Sequence, residues 1–194
     1  MTADGQPDVS AYDLGLPIET EQMTVRALHP DDAEDIHAIY SVPEVSRYLY
    51  TEPMDLAEAR DYVSRRSDPV IAAEGDGVNV AGVLRETGAV VATFYLHLVS
   101  GVHQQGEIGY VVSSAYAGRG LATEGALAML SVGFDRWDLH RMIGRCDARN
   151  AASAAVLRRV GMRQEAEFRE SEWVKGEWTD ELVFAILAEE WRAR

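Results

Sequence analysis

The sequence predicts one α/β (α+β) domain, in which a mixed sheet of about seven strands carries helices on both faces. Two observations predict this fold class. First, the periodic patterns follow the order strand, helices, three strands, helix, strand, helix, two strands, and a mixed order of this kind implies a sheet covered by helices. Second, the 194 residues, 47% of them hydrophobic and 26% charged, suffice for one sizeable core and are too few for two comfortable domains.

The first half of the chain contains one strand and several helices. Residues 1–17 are acidic, contain glycine and proline and show no periodicity, so we expect a flexible acidic tail before a domain that spans residues 18–194. Residues 18–28 alternate as an edge strand does. Helical spacing follows at residues 31–40, in a shorter stretch between Pro43 and Pro53, and at residues 55–66.

In the second half the hydrophobic period changes to that of strands. Residues 78–85 and 89–99 are two strand-like runs joined by Glu86-Thr87-Gly88, which indicates a hairpin. The remaining predicted elements are a strand at residues 107–112, a helix at 118–134, a strand at 141–146, a helix at 150–160, and strands at 165–174 and 181–187.

Composition and charge exclude several classes of protein. The formal net charge of −14, from 18 basic and 32 acidic side chains, argues against a nucleic-acid-binding protein. No run approaches the roughly 20 apolar residues of a membrane-spanning helix, and the first residues lack the pattern of a secretion signal. We therefore expect a cytoplasmic protein without a membrane partner. Cys146 is the single cysteine, which excludes a disulfide framework and a multi-cysteine zinc site.

The charge is distributed unevenly along the chain. Residues 1–76 carry 17 acidic and 5 basic side chains, whereas residues 136–163 carry seven arginines and two aspartates. One pole of the domain would therefore attract a cation and the other a polyanion, although charge clusters of this kind are more often solvated surface.

The sharpest local motif lies in residues 107–125, where a strand ends in small and polar residues and Gly118-Arg119-Gly120, the glycine turn, opens a helix. The first N–H groups of a helix lack intrahelical acceptors and carry partial positive charge. Glycines leave these groups open to a phosphate or pyrophosphate, and Arg119 would add a charged contact. A purely structural turn explains the motif equally well, since the sequence matches neither a P-loop nor a Rossmann fingerprint.

Together with a second motif, these residues resemble a known family. Gly120 and Ala122 are similar to the end of motif A of the GNAT acetyltransferases, written Gln/Arg-x-x-Gly-x-Gly/Ala, while Ala117 stands where the family usually has glutamine or arginine. The second motif resembles the ribosomal-protein N-terminal acetyltransferase (RimJ/RimL-type) branch of that family. It is Asn150-x-x-Ser153-x-x-Val156-Leu157-x-x-Val160-Gly161-Met162.

The resemblance implies a largely antiparallel, twisted sheet that splays between its fourth and fifth strands, here residues 107–112 and 141–146. Acetyl-CoA is the implied cosubstrate, without a metal, and would lie in that wedge with the Val112 amide facing the oxyanion. The arginine-rich residues 136–163 would screen the nucleotide phosphates. The implied cofactor-binding residues are Val111, Val112, Ala117, Gly118, Arg119, Gly120, Leu121, Ala122, Thr123, Asn150 and Ser153.

Attack of an amine on a thioester needs a base for the amine and a donor for the departing thiolate. Many relatives donate from a tyrosine, but Leu157 occupies that position here, so Ser153, one helical turn after Asn150, is the expected donor. Close helix packing explains Ser153 about equally well. Glu107 and Glu172 are the candidate bases, and solvated strand ends are the alternative explanation for both.

The function implied by the resemblance is direct acetyl transfer from acetyl-CoA to a primary amine, with a protein N-terminal α-amine as the favoured acceptor. Small amines such as an aminoglycoside, a polyamine or an amino acid are the alternative acceptors. A non-catalytic acyl-CoA-binding module is the alternative class, because Ala117 and Leu157 depart from the family pattern. The family also makes a homodimer an expectation.

Overall fold

In the computed structural model, which describes residues 12–194, one sheet of eight strands runs through the domain. The strands are β1 (Ile18–Glu19), β2 (Met23–Ala27), β3 (Gly77–Leu84), β4 (Val90–Ser100), β5 (Gln105–Val112), β6 (Arg141–Asp147), β7 (Arg163–Val174) and β8 (Glu177–Leu187). The helices are α1 (Ala33–Tyr40), α2 (Pro43–Ser46), α3 (Leu56–Ser64), α4 (Leu121–Ser131), α5 (Ala151–Arg159) and α6 (Ala188–Arg192). Within residues 12–194, every helix is too short or too polar to cross a bilayer.

The strand order is β1-β2-β3-β4-β5-β6-β8-β7, with β5 and β6 parallel and the other neighbours antiparallel. The predicted fold class, a mixed and largely antiparallel sheet with helices on both faces, is therefore confirmed. The sheet has eight strands rather than about seven because the predicted strand at residues 18–28 is broken in two. Thr20 N–H donates to the Met23 carbonyl at 2.8 Å and so turns the chain between β1 and β2.

β5 and β6 separate half-way along their length. Their pairing ends with Ile108 opposite Gly144. Beyond that point β5 stays paired with β4 as far as Val112, while β6 stays paired with β8 as far as Asp147. The two strands therefore diverge, which confirms the predicted splay at these strands. We call the space between them, beyond Ile108 and Gly144, the gap.

Helices cover both faces of the sheet. Side chains alternate along β4, so that Phe94 points into the core beneath α4 and Thr93 points toward α1. On the α1 side, the Tyr40 hydroxyl lies 2.6 Å from Thr93 Oγ1. On the other side, Gly125 lets α4 approach the sheet closely, because a Cβ at that position would overlap the Phe94 ring. The start of α4 is thereby held beside the end of β5.

Element boundaries differ from the prediction at two places near the gap. The helix predicted from residue 118 begins at Leu121, because Gly118 and Gly120 adopt left-handed φ angles of +79° and +84° that an α-helix does not contain. It ends at Ser131 and continues as a π-helical turn, Val132–Arg136. The last strand begins at Glu177, before the predicted residue 181, because β7 and β8 form a tight hairpin.

Residues 12–17, which the composition assigns to a flexible tail, are packed on the domain, and residues 1–11 lie outside the described residues. Tyr12 and Leu14 are buried. The Tyr12 ring meets the Trp137 ring edge-on at a centroid distance of 5.4 Å, and Trp137 Nε1 donates to the Asp13 carbonyl at 2.8 Å. Two apolar side chains anchor this segment without any periodic pattern, so the packed domain extends beyond the predicted boundary at Ile18.

Candidate active site

A large cleft opens at the gap. It has a volume of about 890 Å³ and extends from the glycine turn, past the end of β5 and the start of α5, to α2. Among the predicted cofactor-binding residues, those that line it are Val111, Val112, Ala117, Gly118, Gly120, Leu121, Ala122, Thr123, Asn150 and Ser153. The side chain of Arg119 is directed elsewhere, because its guanidinium lies 3.6 Å from the Glu86 carboxylate.

The glycine turn presents backbone N–H groups to this cleft. A Cβ at Gly118 or Gly120 would point into open space among the described residues, so the turn itself is unobstructed. The hydrogen-bond ladder of α4 starts with Glu124 N–H, which donates to the Gly120 carbonyl at 3.0 Å. The N–H groups of residues 121–123 precede that bond and have no acceptor within the helix. Together with the helix dipole they form a site suited to an anion.

The Glu124 side chain anchors the start of α4 to the turn between β1 and β2. Its carboxylate accepts hydrogen bonds from Gln22 N–H at 2.7 Å, from Gln22 Nε2 at 2.9 Å and from the Thr20 hydroxyl. Gln22 Nε2 also donates to the Arg119 carbonyl at 3.2 Å. Burial acts to raise the pKa of Glu124, but these hydrogen bonds outweigh burial and lower it. The carboxylate therefore stays ionised and fixes the position of the glycine turn.

The last residues of β5 offer backbone groups to the gap. Ser113 N–H donates to the Val91 carbonyl at 2.9 Å. Because hydrogen bonding alternates along an antiparallel strand, the backbone groups of Val111 face β4. Those of Tyr110 and Val112 then face the gap. The N–H group of Val112, the predicted oxyanion donor, therefore faces the gap. Val111 was predicted to bind the cofactor, but its backbone faces β4, so Tyr110 presents the other backbone groups in the gap.

Ser153 reaches into the gap from the first turn of α5. Asn150 caps this helix, and its Oδ1 accepts a hydrogen bond from Ser153 N–H at 3.0 Å. The Tyr110 hydroxyl lies 2.9 Å from the Ser153 carbonyl oxygen and 3.1 Å from Ser153 Oγ. Leu157 is buried in the core. The start of α5 therefore contributes a hydroxyl group to the cleft at Ser153, held by partners on both sides.

The arginine-rich stretch contributes one arginine to the lining of the cleft. Arg159 Nη1 donates to Thr123 Oγ1 at 3.2 Å, beside the start of α4. Other arginines of the stretch bind carboxylates away from the cleft, as Arg149 does with Asp147 at 2.7 Å. Of the arginines in residues 136–163, only Arg159 lines the cleft, so the expected screening of phosphates by the whole stretch is reduced to this one residue.

On the opposite face of the sheet, three carboxylates converge, and we call them the glutamate cluster: Glu107 of β5, Glu172 of β7 and Glu181 of β8. Strand register places all three on one face. Arg145 of β6 lies among them, with Nε 3.5 Å from Glu107 Oε2 and Nη1 3.7 Å from Glu181 Oε2. The Tyr50 hydroxyl donates a hydrogen bond to Glu172. One guanidinium faces the three carboxylates, and the surrounding Arg47, Arg149 and Lys175 are matched by Asp147, Glu177 and Asp180, so negative charge is in excess.

The environment of the glutamate cluster changes the acidity of two members. Burial raises the pKa of Glu107, and it also raises the pKa of Glu181. The Arg145 charge opposes both shifts, while the negative charge of Glu172 adds to them. Both carboxylates therefore take up a proton more readily than a free glutamate, which is the property required of a general base.

The glutamate cluster adjoins the large cleft. A smaller cavity of about 90 Å³ is lined by Tyr50, Glu172 and Glu181, among others. Tyr48 lines both this cavity and the large cleft, so the two lie next to each other at the α2 end. A substrate held at this junction would face the end of β5 on one side and carboxylates on the other.

A protein-family model described as the acetyltransferase (GNAT) domain matches residues 22–163 of this chain. The chain belongs to the GNAT acetyltransferase family. Bacillus subtilis YnaD, described as an uncharacterized N-acetyltransferase, is 30% identical over 90% of this chain and 98% of its own length. A solved GNAT-family acetyltransferase from Bacillus anthracis shares 30% identity and a TM-score of 0.79, and the match covers 89% of this chain and 98% of that one.

Two further similar proteins are an acetyltransferase named for its acceptor and a structure that contains a form of CoA. The spermidine N(1)-acetyltransferase of Escherichia coli (strain K12) is 24% identical over 87% of this chain and 88% of its own. The structure of Mycobacterium smegmatis RimJ in complex with CoA-disulfide has the same fold, with a TM-score of 0.77 and 24% identity over 91% of this chain and 90% of that one. The predicted family and N-acetyltransferase activity are thereby confirmed, and acetyl-CoA is the acetyl donor of this GNAT domain.

Sequence reasoning gathers most of the residues of this GNAT site but not all of them. The structure places Glu107 and Glu172 in one cluster and Ser153 at the gap. Glu181 was missed because it is the first residue of the predicted strand 181–187, next to Asp180, and periodicity does not show which strand lies beside it. Tyr50 was also missed, and its position in a loop gives no pattern from which its contact with Glu172 follows.

Proposed function

We propose that this GNAT acetyltransferase transfers the acetyl group of acetyl-CoA to the N-terminal α-amine of a polypeptide. The observation that carries the proposal is the closeness of two sites: a cleft lined by helix-start N–H groups lies next to a smaller cavity lined by Glu172 and Glu181, and Tyr48 lines both. The resemblance of the α5 motif to the RimJ/RimL-type branch supports a polypeptide as the acceptor.

The shape of the cleft fits the proposed cosubstrate, because the glycine turn is open and the cleft is large enough for a nucleotide with an extended arm. We assign the N–H groups of residues 118–123 to the pyrophosphate, because the Ala117 N–H already donates to the Ser114 carbonyl at 3.2 Å. We assign the backbone of Val112 and the start of α5 at Asn150 to the pantetheine arm, which would pair with β5 as an added strand does. Val111 lines the cleft beside it through its side chain. Acetyl-CoA supplies the acetyl group as a thioester that a neutral amine attacks.

Within this arrangement, Val112 N–H donates to the oxygen on which negative charge develops, and the Ser153 hydroxyl donates to the departing sulfur. The amine must lose a proton, and the glutamate cluster receives it, directly or through water. We assign this role to Glu172, which lines the smaller cavity, and to Glu107, whose pKa is raised by burial.

The surroundings of the glutamate cluster support an extended acceptor. Phe168 of β7 lies opposite Glu181 on the same face and is 51% exposed, and Val183 is half-buried beside it. An acceptor chain whose α-amine reaches Glu172 would have apolar contacts for its next side chains along β7 and β8. The excess negative charge at the cluster favours a basic polypeptide, such as a ribosomal protein.

A small polycationic amine is the second candidate acceptor, and the same observation favours it. Three carboxylates with one guanidinium attract a polyamine as well as a basic peptide. The E. coli relative named for spermidine shows that the family includes proteins with such an acceptor.

An acceptor panel tests the proposed function. Acetyl-CoA is incubated with basic peptides that carry a free α-amine, with the same peptides N-terminally blocked, and with spermidine and an aminoglycoside, and free thiol is measured. We expect thiol release with the free peptides and none with the blocked ones. A higher kcat/KM for spermidine than for every peptide would establish the polyamine alternative. Binding of acetyl-CoA without thiol release from any amine would indicate a non-catalytic acyl-CoA-binding module.

The homodimer expected from the resemblance stays a prediction of this proposal. The cleft and the glutamate cluster are both formed within one chain, so the proposed reaction does not depend on it. Sedimentation equilibrium tests the prediction, with a particle of about twice the 21.4 kDa chain mass expected and a single-chain mass contradicting it.

A further inference from the structure

The proposed reaction assigns no role to the hydroxyl of Tyr110, although this side chain lines the cleft. Tyr110 lies two residues beyond Ile108, where β5 stops pairing with β6, and Cys146 lies two residues beyond Gly144 on β6. Both side chains point to the α5 face of the sheet. Ser153 lies on the same side of the sheet, with Oγ 3.1 Å from the Tyr110 hydroxyl.

The Tyr110 hydroxyl is a permanent donor in this position. Burial raises the pKa of Tyr110 to about 12, so the phenol keeps its proton at neutral pH. Burial also raises the pKa of the Cys146 thiol, which therefore stays neutral. The single Tyr110 proton has two acceptors within reach, the Ser153 carbonyl at 2.9 Å and Ser153 Oγ at 3.1 Å. When the proton lies on the Oγ side, the proton of Ser153 itself is free for another acceptor.

We propose that Tyr110 is a positioning residue for acetyl transfer: its hydroxyl holds and polarises the Ser153 hydroxyl, which donates a hydrogen bond to the departing sulfur of CoA. This inference rests on the proposed function, which places acetyl-CoA in the gap. As the amine nitrogen bonds to the acetyl carbon, the carbon–sulfur bond breaks and its electron pair goes to sulfur. The amine proton goes to the glutamate cluster. The thiolate accepts from Ser153 Oγ–H, and Ser153 Oγ accepts from the Tyr110 hydroxyl.

Two hydroxyls in series strengthen each other as donors, because each hydrogen bond polarises the next. β5 thereby supplies a tyrosine to a site where α5 carries the buried Leu157. Asn150 completes the arrangement, because its Oδ1 accepts from Ser153 N–H and so holds the serine backbone while the Ser153 hydroxyl accepts from Tyr110.

The Tyr110→Phe variant tests the proposal, because it removes only the hydroxyl. We expect kcat to fall about tenfold, the effect of losing one hydrogen bond to the transition state, with KM for acetyl-CoA changed by less than about twofold. Tyr62→Phe is the matched control. It removes a hydroxyl that donates to Asn79 Oδ1 at 3.1 Å on the other face of the sheet, and kcat should be unchanged. A Tyr110→Phe enzyme with wild-type kcat would overturn the proposal.

A double-mutant cycle with Ser153→Ala separates positioning from an independent contribution. If Tyr110 acts through Ser153, the double variant has the kcat of Ser153→Ala alone. Losses that multiply would show that Tyr110 acts without Ser153, and would overturn the assigned role.

Site-specific difluorotyrosine at position 110 gives a second measurement that does not depend on Tyr110→Phe folding, since it nearly preserves the size of the side chain. It lowers the pKa of the phenol, so kcat should fall as pH rises through the new value, whereas the wild type keeps its rate. An unchanged pH profile would contradict the proposal. Failure of the proposed function is distinguishable, because it appears as a wild-type protein that releases no thiol with any amine.

Discussion

The two sides of the gap are built from different parts of the chain. On the cofactor side, the groups that face the cleft are backbone N–H groups from one short stretch, at Val112 and residues 121–123. On the acceptor side they are side-chain carboxylates from three strands, Glu107, Glu172 and Glu181. Binding by backbone N–H groups depends on the conformation of the chain, whereas the action of the carboxylates depends on their charge. Substitutions on the two sides should therefore affect different steps.

The largest effect is expected on the acceptor side. The double variant Glu107→Gln/Glu172→Gln removes both proposed bases while keeping side-chain size, and should lower kcat/KM for the amine by about 100-fold or more, the usual contribution of a general base. Steady-state thiol release measures it, and calorimetry should show acetyl-CoA binding close to wild type. Glu167→Gln on β7, exposed and on the other face, is the control. A double variant that loses acetyl-CoA binding instead would contradict the division between the two sides.

The pH dependence of kcat/KM tests which carboxylate on the acceptor side acts as the base. The negative charge of Glu172 adds to the raised pKa values of Glu107 and Glu181. Activity that requires an ionised carboxylate rises with pH through that raised pKa. The single variant Glu172→Gln removes one negative neighbour, so the pKa of Glu107 should fall and the acidic limb of the kcat/KM profile should move to lower pH. An acidic limb that stays in place would indicate that Glu107 is not the titrating group.

The sequence predicts the cofactor side better than the acceptor side, because the two sides are built from different parts of the chain. The proposed cofactor side takes its backbone N–H groups from one contiguous segment, so the resemblance of Gly120 and Ala122 to motif A predicts where in the chain it lies. The glutamate cluster depends on strand order, because β8 inserts between β6 and β7 and brings Glu181 beside Arg145. Periodicity shows that a segment is a strand, but it does not show which strand of a hairpin lies inside. Glu181 and Tyr110 could therefore not be assigned before the sheet order was known.

On the cofactor side, Gly120→Val should weaken acetyl-CoA binding by about 30-fold, measured as Kd by calorimetry. A left-handed residue with a Cβ costs on the order of 1–2 kcal/mol, and the new side chain would also stand in front of the N–H groups at the start of α4. Gly88→Val in the β3–β4 hairpin is a matched control, since Gly88 has a similar φ of +76° and the same open surroundings among the described residues. Both variants should lose thermal stability, and Gly120→Val should also lose affinity. If the two variants bound acetyl-CoA with equal affinity, the assignment of the glycine turn to cofactor binding would be wrong.

The smallest expected effect tests whether the charge of Arg159 adds to acetyl-CoA binding by the backbone N–H groups on the cofactor side. Arg159 adds one positive charge beside Thr123, so Arg159→Gln should raise the Kd for acetyl-CoA about three- to fivefold at low ionic strength, and salt should reduce the difference because exposed charges are screened. Arg158→Gln is the neighbouring control: its guanidinium donates to Gln164 at 3.0 Å and lies over the Phe184 ring at 5.1 Å, outside the lining of the cleft. Equal losses in the two variants would mean that the general field of residues 136–163, rather than a contact at Arg159, attracts the phosphates. A loss confined to Arg159→Gln that persists at high salt would instead indicate a buried contact with a phosphate, because only exposed charges are screened.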